Sequence, residues 1–159
     1  MSHPQRDRGF TMIEVMVTIA LMGTLMAIAV SGWSSWAKAS AHSGAAREIQ
    51  SAMRQSQQQA VTEGGAMCFL FDDGSDSYAI YRGRCSDAAK VLARGPVKLA
   101  SGVRISTPSF TSEANVPNPG VTFASRGTGS PGTVAVTRDG SSTVYTLSVE
   151  GLTGRVSLN

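Results

Sequence analysis

The chain has 159 residues, enough for one ordinary domain and one additional element. Apolar residues make up 42% of it and charged residues only 16%, and the rest is rich in Gly, Ser and Thr. A net charge of +3 spread over scattered Lys and Arg lacks the clustered basic stripe of a typical nucleic-acid-binding domain, and the two cysteines, Cys68 and Cys85, match neither a zinc knuckle nor a CxxC redox pair.

Residues 1–9 are polar and carry Arg6 and Arg8, after which Phe10 to Val30 forms an apolar run with Glu14 as its single charge. As a helix this run is about 31 Å long, against roughly 30 Å for the hydrocarbon core of a bilayer. Arg6 and Arg8 predict a cytoplasmic N-terminus with everything after Val30 outside, an asymmetry softened by Lys38 and Arg47. A secretory signal peptide would have a shorter apolar stretch, a small-x-small cleavage site and a loop behind it. Here the run starts directly after Gly9 and continues into helix-compatible sequence. Glu14 is the anomaly, because a carboxylate inside an apolar span costs a few kcal/mol unless it finds a counter-charge. Cleavage between Gly9 and Phe10 would create one, the α-ammonium of Phe10, which Glu14 of a neighbouring subunit could neutralise. The plain alternative is a Glu14 that snorkels to the interface and gains under about 1 kcal/mol from the helix dipole.

The string Arg8-Gly9-Phe10-Thr11-Met12-Ile13-Glu14-Val15 resembles the leader junction of type IV prepilins: a short basic leader ending in Gly, then Phe, then an apolar helix with Glu at its fifth position. The resemblance implies that a prepilin peptidase cuts after Gly9 and methylates Phe10. It also implies that Glu14 serves assembly by pairing with the N-terminus of an adjacent subunit.

Beyond Val30 the sequence predicts that the helix continues amphipathically over 31–62. Trp33 and Trp36 fall where a span would leave the hydrocarbon. Ala41, Ala45, Ile49, Ala52 and Ala60 form an apolar stripe at helical spacing, with Arg47, Gln50, Arg54, Gln57 and Gln58 expected to face water. Gly23 and Gly32 are expected weak points, each costing up to about 1 kcal/mol relative to Ala. From 63 to 159 short alternating segments predict an antiparallel β-domain. The segments Met67 to Phe71 and Ser77 to Arg82 flank a turn over Asp72 to Asp76. Further strands are predicted at Val103 to Ser106, Val121 to Ala124, Thr133 to Thr137 and Thr143 to Val149, with a closing edge strand at Arg155 to Leu158. Asp139-Gly140 marks the turn between two of them. Pro108 to Gly120, with three of the six prolines, is expected to be an irregular surface loop.

The C-terminal pattern resembles the GspH/FimT-type minor pilins, through Phe123, the glycine-rich segment Gly127 to Gly132, and Gly154-Arg155-Val156. Together the resemblances imply an α+β, type IV pilin-like fold: a long N-terminal helix, membrane-spanning in its first half, packed on an antiparallel β-sheet domain. They imply a minor pilin or pseudopilin, a structural assembly subunit of a type II secretion pseudopilus or a type IV pilus, and not an enzyme. Its partners would be prepilin peptidase, other pilin subunits and the inner membrane, with the C-terminal domain periplasmic. Outside the cytoplasm Cys68 and Cys85 are expected to form a disulfide contributing roughly 3 kcal/mol, the alternative being two buried thiols. Some FimT-like members take up DNA through an arginine-rich C-terminal segment. Here Arg155, helped by Arg126 and Arg138, could give only weak, salt-sensitive phosphate contact.

Other motifs dissolve on inspection. Gly127 to Gly132 satisfies GxGxxG but is followed by a predicted strand, where a phosphate site needs a helix N-terminus. Ser35-Trp36-Ala37-Lys38 matches SxxK without the companion motifs of penicillin-binding enzymes. Neither His3 nor His42 has a plausible cysteine, carboxylate or serine partner nearby in sequence from which a catalytic site could be built. Asp72, Asp73 and Asp76 are spaced as a turn and not as an EF-hand loop, so no metal and no cofactor are expected.

Overall fold

In the computed structural model, which describes residues 10–111 and 117–159, helix α1 begins at Met12 and ends at Glu63. Thr11 caps its start, accepting the Glu14 amide on its hydroxyl at 3.3 Å and on its carbonyl at 3.1 Å. Gly64, with φ of +66°, ends it in the left-handed conformation that a helix C-terminus favours. The chain divides into two compact units, one up to Ala39 and one from Ser40 onward.

Within the second unit the helix buries Ala45, Ala46, Ile49, Ala52, Met53, Ser56 and Ala60, a stripe wider than the predicted one. Ser56 satisfies its hydroxyl on the Ala52 carbonyl at 2.9 Å. Gln50, Arg54 and Gln57, expected to face water, instead reach the β-domain. Gln50 and Arg54 both donate to the Val156 carbonyl, at 3.3 and 3.0 Å. Long polar side chains at the rim of the stripe can satisfy strand carbonyls that no further strand pairs with.

Among the described residues nine strands follow, and they form two antiparallel sheets where the sequence had suggested one. Strands β1 (Met67–Asp72), β2 (Ser77–Arg82), β3 (Val91–Lys98) and β6 (Gly120–Phe123) make a four-stranded sheet in the order β3-β2-β1-β6. Strands β4 (Val103–Thr111), β5 (Pro117–Asn118), β7 (Gly132–Arg138), β8 (Tyr145–Val149) and β9 (Val156–Leu158) make a five-stranded sheet in the order β5-β4-β7-β8-β9. Alternation puts Met67, Phe69 and Phe71 of β1 in the core with Ile105, Val121, Phe123, Val134, Val136, Leu147, Val149 and Val156. The rings of Phe69 and Tyr78 stack at 4.9 Å and those of Phe71 and Phe110 at 5.8 Å, the second pair bridging the two sheets.

Two sequence expectations need correction. Strand β3 was missed because its exposed residues do not alternate and it contains Gly95-Pro96, joined by a cis peptide; Pro is tolerated here because β3 is an edge strand. The expected loop from Pro108 to Gly120 is largely strand: β4 runs on to Thr111, β5 pairs with its end, and β6 starts at Gly120. A register shift between Ser106 and Ser109, with Thr107 at φ of +45°, absorbs Pro108 and lets Phe110 re-enter the core. The remainder of that loop, 112–116, lies outside the described residues, as do residues 1–9, expected to be a leader.

Candidate assembly site

In the first unit the helix presents its apolar side chains outward. Phe10 is 81% exposed and Ile28 71%, and an 18-residue window with mean hydropathy of 2.2 is wholly unburied by the chain's own atoms. By length and composition this helix can cross a membrane. Both threonine hydroxyls within the apolar run of the helix are satisfied internally, as a helix in hydrocarbon requires. Thr18 donates to the Val15 carbonyl and Thr24 to the Leu21 carbonyl, both at 2.8 Å. No heavy atom lies within 4 Å of where a Cβ on Gly23 would stand. Ala20, Gly23 and Ala27 share one face at helical spacing, which leaves a shallow seam where a second helix can approach closely. Glu14 occupies the first turn, exposed, three residues after the cap. Gly9 lies outside the described residues, and Phe10 stands just ahead of the helix.

Cys68, on β1, and Cys85, in the β2–β3 connection, are joined by a disulfide with Cα atoms 4.9 Å apart. It ties that connection back to the sheet, where the Cys85 amide also donates to the Thr122 hydroxyl at 3.0 Å.

The three candidate arginines do not form one patch. Arg126 and Arg155 stand on neighbouring turns, because the Gln57 amide bonds both the Gly127 carbonyl, at 2.7 Å, and the Thr153 carbonyl, at 2.9 Å. Arg138 ends β7, six residues from Gly132, which puts it roughly 20 Å further along the sheet. Its Nε is buried without a hydrogen-bond partner among the described residues.

The aspartates of the first hairpin are committed to the turn. Asp72 accepts the amides of Gly74 and Ser75 and the Ser75 hydroxyl, and these bonds, the hydroxyl's first, hold its carboxyl below the usual range. Asp76 accepts the Ile105 amide at 3.0 Å, linking the turn to the other sheet. Among the described residues no three metal-ligating side chains converge. The segment Gly127 to Gly132 leads into β7, a strand, and so lacks the helix N-terminus a phosphate would need.

Sequence reasoning passed over three anchoring side chains. His42, 2% exposed, meets the Val136 carbonyl through Nε2 at 3.0 Å and sets its ring edge-on to Tyr145 at 4.7 Å. Because a carbonyl only accepts, Nε2 carries the proton. Gln57 holds two turns at once. Tyr78 donates to Glu48 at 3.1 Å, and burial, followed by the charge of that carboxylate, pushes its phenol up to about 12. A polar residue at the rim of a helical stripe gave the only available signal for Gln57.

Comparison with known proteins places this architecture. The sequence model of the family described as type II transport protein GspH matches residues 45–153, and that of the prokaryotic N-terminal methylation motif matches residues 4–30. A search of curated proteins returns no match. Similar solved structures include the minor pseudopilin EpsH from the type II secretion system of Vibrio cholerae, with 13% identity over 77% of this chain and 94% of that one and a TM-score of 0.57. The type IV minor pilin FimU of Pseudomonas aeruginosa has 18% identity over 74% and 87%, with a TM-score of 0.55. The solution structure of Escherichia coli GspH has 16% identity over 77% and 90%, with a TM-score of 0.55. At these identities the structures speak for the pilin-like fold, while the family match, spanning more than half of the residues, shows that the chain belongs to the GspH family of type II transport proteins.

Proposed function

We propose that this chain works as a minor pseudopilin of a type II secretion system: a membrane-anchored subunit, cut after Gly9 by prepilin peptidase, methylated on Phe10 and assembled with other pilin-like subunits through its N-terminal helix. In this reading residues 1–9 are the leader, 10–30 the membrane and assembly segment, 31–62 the amphipathic continuation of the helix and 63–159 the periplasmic β-domain, with the N-terminus cytoplasmic before processing. The observation that carries it is an apolar helix left bare by its own chain and interrupted by one carboxylate in its first turn. A bare apolar surface of that length needs lipid or another helix against it, and the carboxylate needs a cation. The Phe10 ammonium released by cleavage supplies that cation, at a position where the neighbouring subunit's Glu14 can neutralise it in a medium of low dielectric. Lateral packing along the Ala20, Gly23 and Ala27 seam supplies the close contact that holds helices together once lipid is displaced. The description of the matched family favours the secretion pseudopilus over the pilus, and the separation of Arg138 from Arg126 and Arg155 gives no support to DNA uptake.

Mass spectrometry of the membrane-extracted protein should find a mature N-terminus at Phe10 carrying one added methyl group; a chain beginning elsewhere overturns the reading. Glu14→Ala should leave the β-domain folded and processing intact while abolishing incorporation into the assembly, measured by shearing and immunoblot.

A further inference from the structure

Two turns and the last helical residues meet at the end of the β-domain opposite Ser40, about 30 Å further along the helix. The Gln57 amide binds them together, donating to the Gly127 carbonyl of the β6–β7 turn and to the Thr153 carbonyl of the β8–β9 turn. Each turn is also closed on itself. In the first, Ala124 donates to the Thr128 carbonyl and Gly127 to the Ala124 carbonyl, both at 2.9 Å; in the second, Gly154 donates to the Glu150 carbonyl at 2.8 Å. Gly129 donates to the Gly151 carbonyl at 3.0 Å and so links one turn to the other. The backbone is therefore ordered before any partner arrives, and docking on it requires little further loss of conformational entropy.

On this fixed base stand two exposed apolar side chains, Leu152 at 90% and Val61 at 51%, and two exposed cations, Arg126 and Arg155. Val61 reaches the Arg126 turn, its Cγ2 lying 3.6 Å from where a Cβ on Gly127 would stand. Neither guanidinium has a partner among the described residues. Glu150, close by in the chain, gives its carboxylate to the Thr153 hydroxyl at 2.8 Å. A single exposed leucine is ordinary on a protein surface. This one is set apart by the rigid turn beneath it and the uncommitted arginines beside it, the composition of an interface centre: an apolar anchor flanked by Arg.

The chemistry of the partner follows from the charges. Two unpaired guanidiniums call for carboxylates, and an anchor of this kind calls for an apolar pocket between them. A second copy of this chain is poorly equipped to supply them. From Ser40 onward the described carboxylates of Glu48, Glu63, Asp72, Asp76, Asp87, Asp139 and Glu150 all accept hydrogen bonds within the chain, which leaves Asp73 alone uncommitted.

We propose that the β6–β7 and β8–β9 turns form one docking knob for a different pilin-like subunit, whose surface sets carboxylates around an apolar pocket. Leu152 enters the pocket, Val61 packs on its edge, and Arg126 and Arg155 meet the carboxylates on either side. This contact lies on the β-domain and is separate from the packing of the N-terminal helix. It rests on the reading of the chain as an assembly subunit.

The test uses the full chain in the membranes of its own host, with the photoreactive residue p-benzoylphenylalanine placed at Leu152. Illumination should link it to one different pilin-like subunit, and mass spectrometry should map the link to a peptide of that subunit carrying Asp or Glu. Arg126→Glu together with Arg155→Glu should lower the yield about three- to tenfold, and changing the mapped carboxylates to Arg should restore it. The same photoreactive residue at Thr133, on the hydroxyl-bearing outer face of the five-stranded sheet, should give no such link. No link from Leu152, a link only to a second copy, to lipid, to nucleic acid or to a protein of another kind, or a yield indifferent to the charge reversal would each overturn the proposal. A probe at Met16 in the N-terminal helix reads assembly separately: a link from Met16 without one from Leu152 overturns the docking knob alone, and no link from either overturns both readings.

Discussion

A methyl group at position 154 would collide with the Gly127 carbonyl and stand 2.5 Å from the Gln57 amide nitrogen, on a backbone with φ of +61°. The glycine of the Gly-Arg-Val sequence that closes the domain is thus a steric requirement of the point where helix, β6–β7 turn and β8–β9 turn meet. Gly154→Ala should cost about 2 kcal/mol or more, and Gln57→Ala, which removes two hydrogen bonds, about 1–2 kcal/mol. Denaturant titrations of the two singles and the double should be non-additive, because both changes act on the same contact. Tyr78 gives a pH signature. Its phenol holds the proton to about pH 12 in the folded domain, while an unfolded tyrosine releases it near about 10. Within that window the folded state binds more protons, so stability falls as pH rises; below it both states are protonated and the contribution stays constant. Thermal melts should show this loss, and Tyr78→Phe should remove its share. Glu63, Asp72 and Asp139 have carboxyls held below their usual range by hydrogen bonds from Arg82, Ser75 and Arg104, so their contribution is present at neutral pH and fades as acid protonates them.

At the scale of elements, the helix was legible because two signals superpose on it: an apolar run up to Val30 with Glu14 as its single charge, and a spaced stripe after Ala41. The stripe widened in the structure because two sheets, not one, receive the helix, so His42, Ala46, Met53 and Ser56 are buried too. Ile49→Ala and Met53→Ala should each cost about 2–5 kcal/mol, the range for truncating a buried side chain that several elements touch. Strands β1, β2, β7 and β8 announced themselves by alternation and turn residues. Strand β3 and the far half of β4 did not, because Pro96 and Pro108 read locally as loop. An edge position excuses the first and a bulge the second, and both are properties of neighbouring strands. Replacing Cys68 and Cys85 together with Ser should lower the stability of the oxidised domain by about 3 kcal/mol, measured against the same variant and wild type under reductant, where the difference should nearly vanish.

For the whole molecule, every buried side chain among the described residues lies between His42 and Val156, within the unit that begins at Ser40. A fragment starting at Ser40 should therefore melt cooperatively in water without detergent, as followed by circular dichroism. The same fragment should not retard DNA in a gel at about 0.15 M salt, where the few phosphate contacts open to dispersed arginines are screened. The sequence by itself determined the linear pattern of the N-terminal segment, since the length of the apolar run, the Gly9-Phe10 junction and the offset of Glu14 are facts of spacing and need no partner element to be read. Tertiary structure alone decided which residues work together beyond it. The division into two sheets, the Gln57 clamp, the distance of Arg138 from Arg155, and the meeting of Arg126, Leu152 and Arg155 at one end of the domain all depend on pairings between segments far apart in the chain. Such pairings are chosen by packing and by the satisfaction of backbone groups, which local periodicity does not encode.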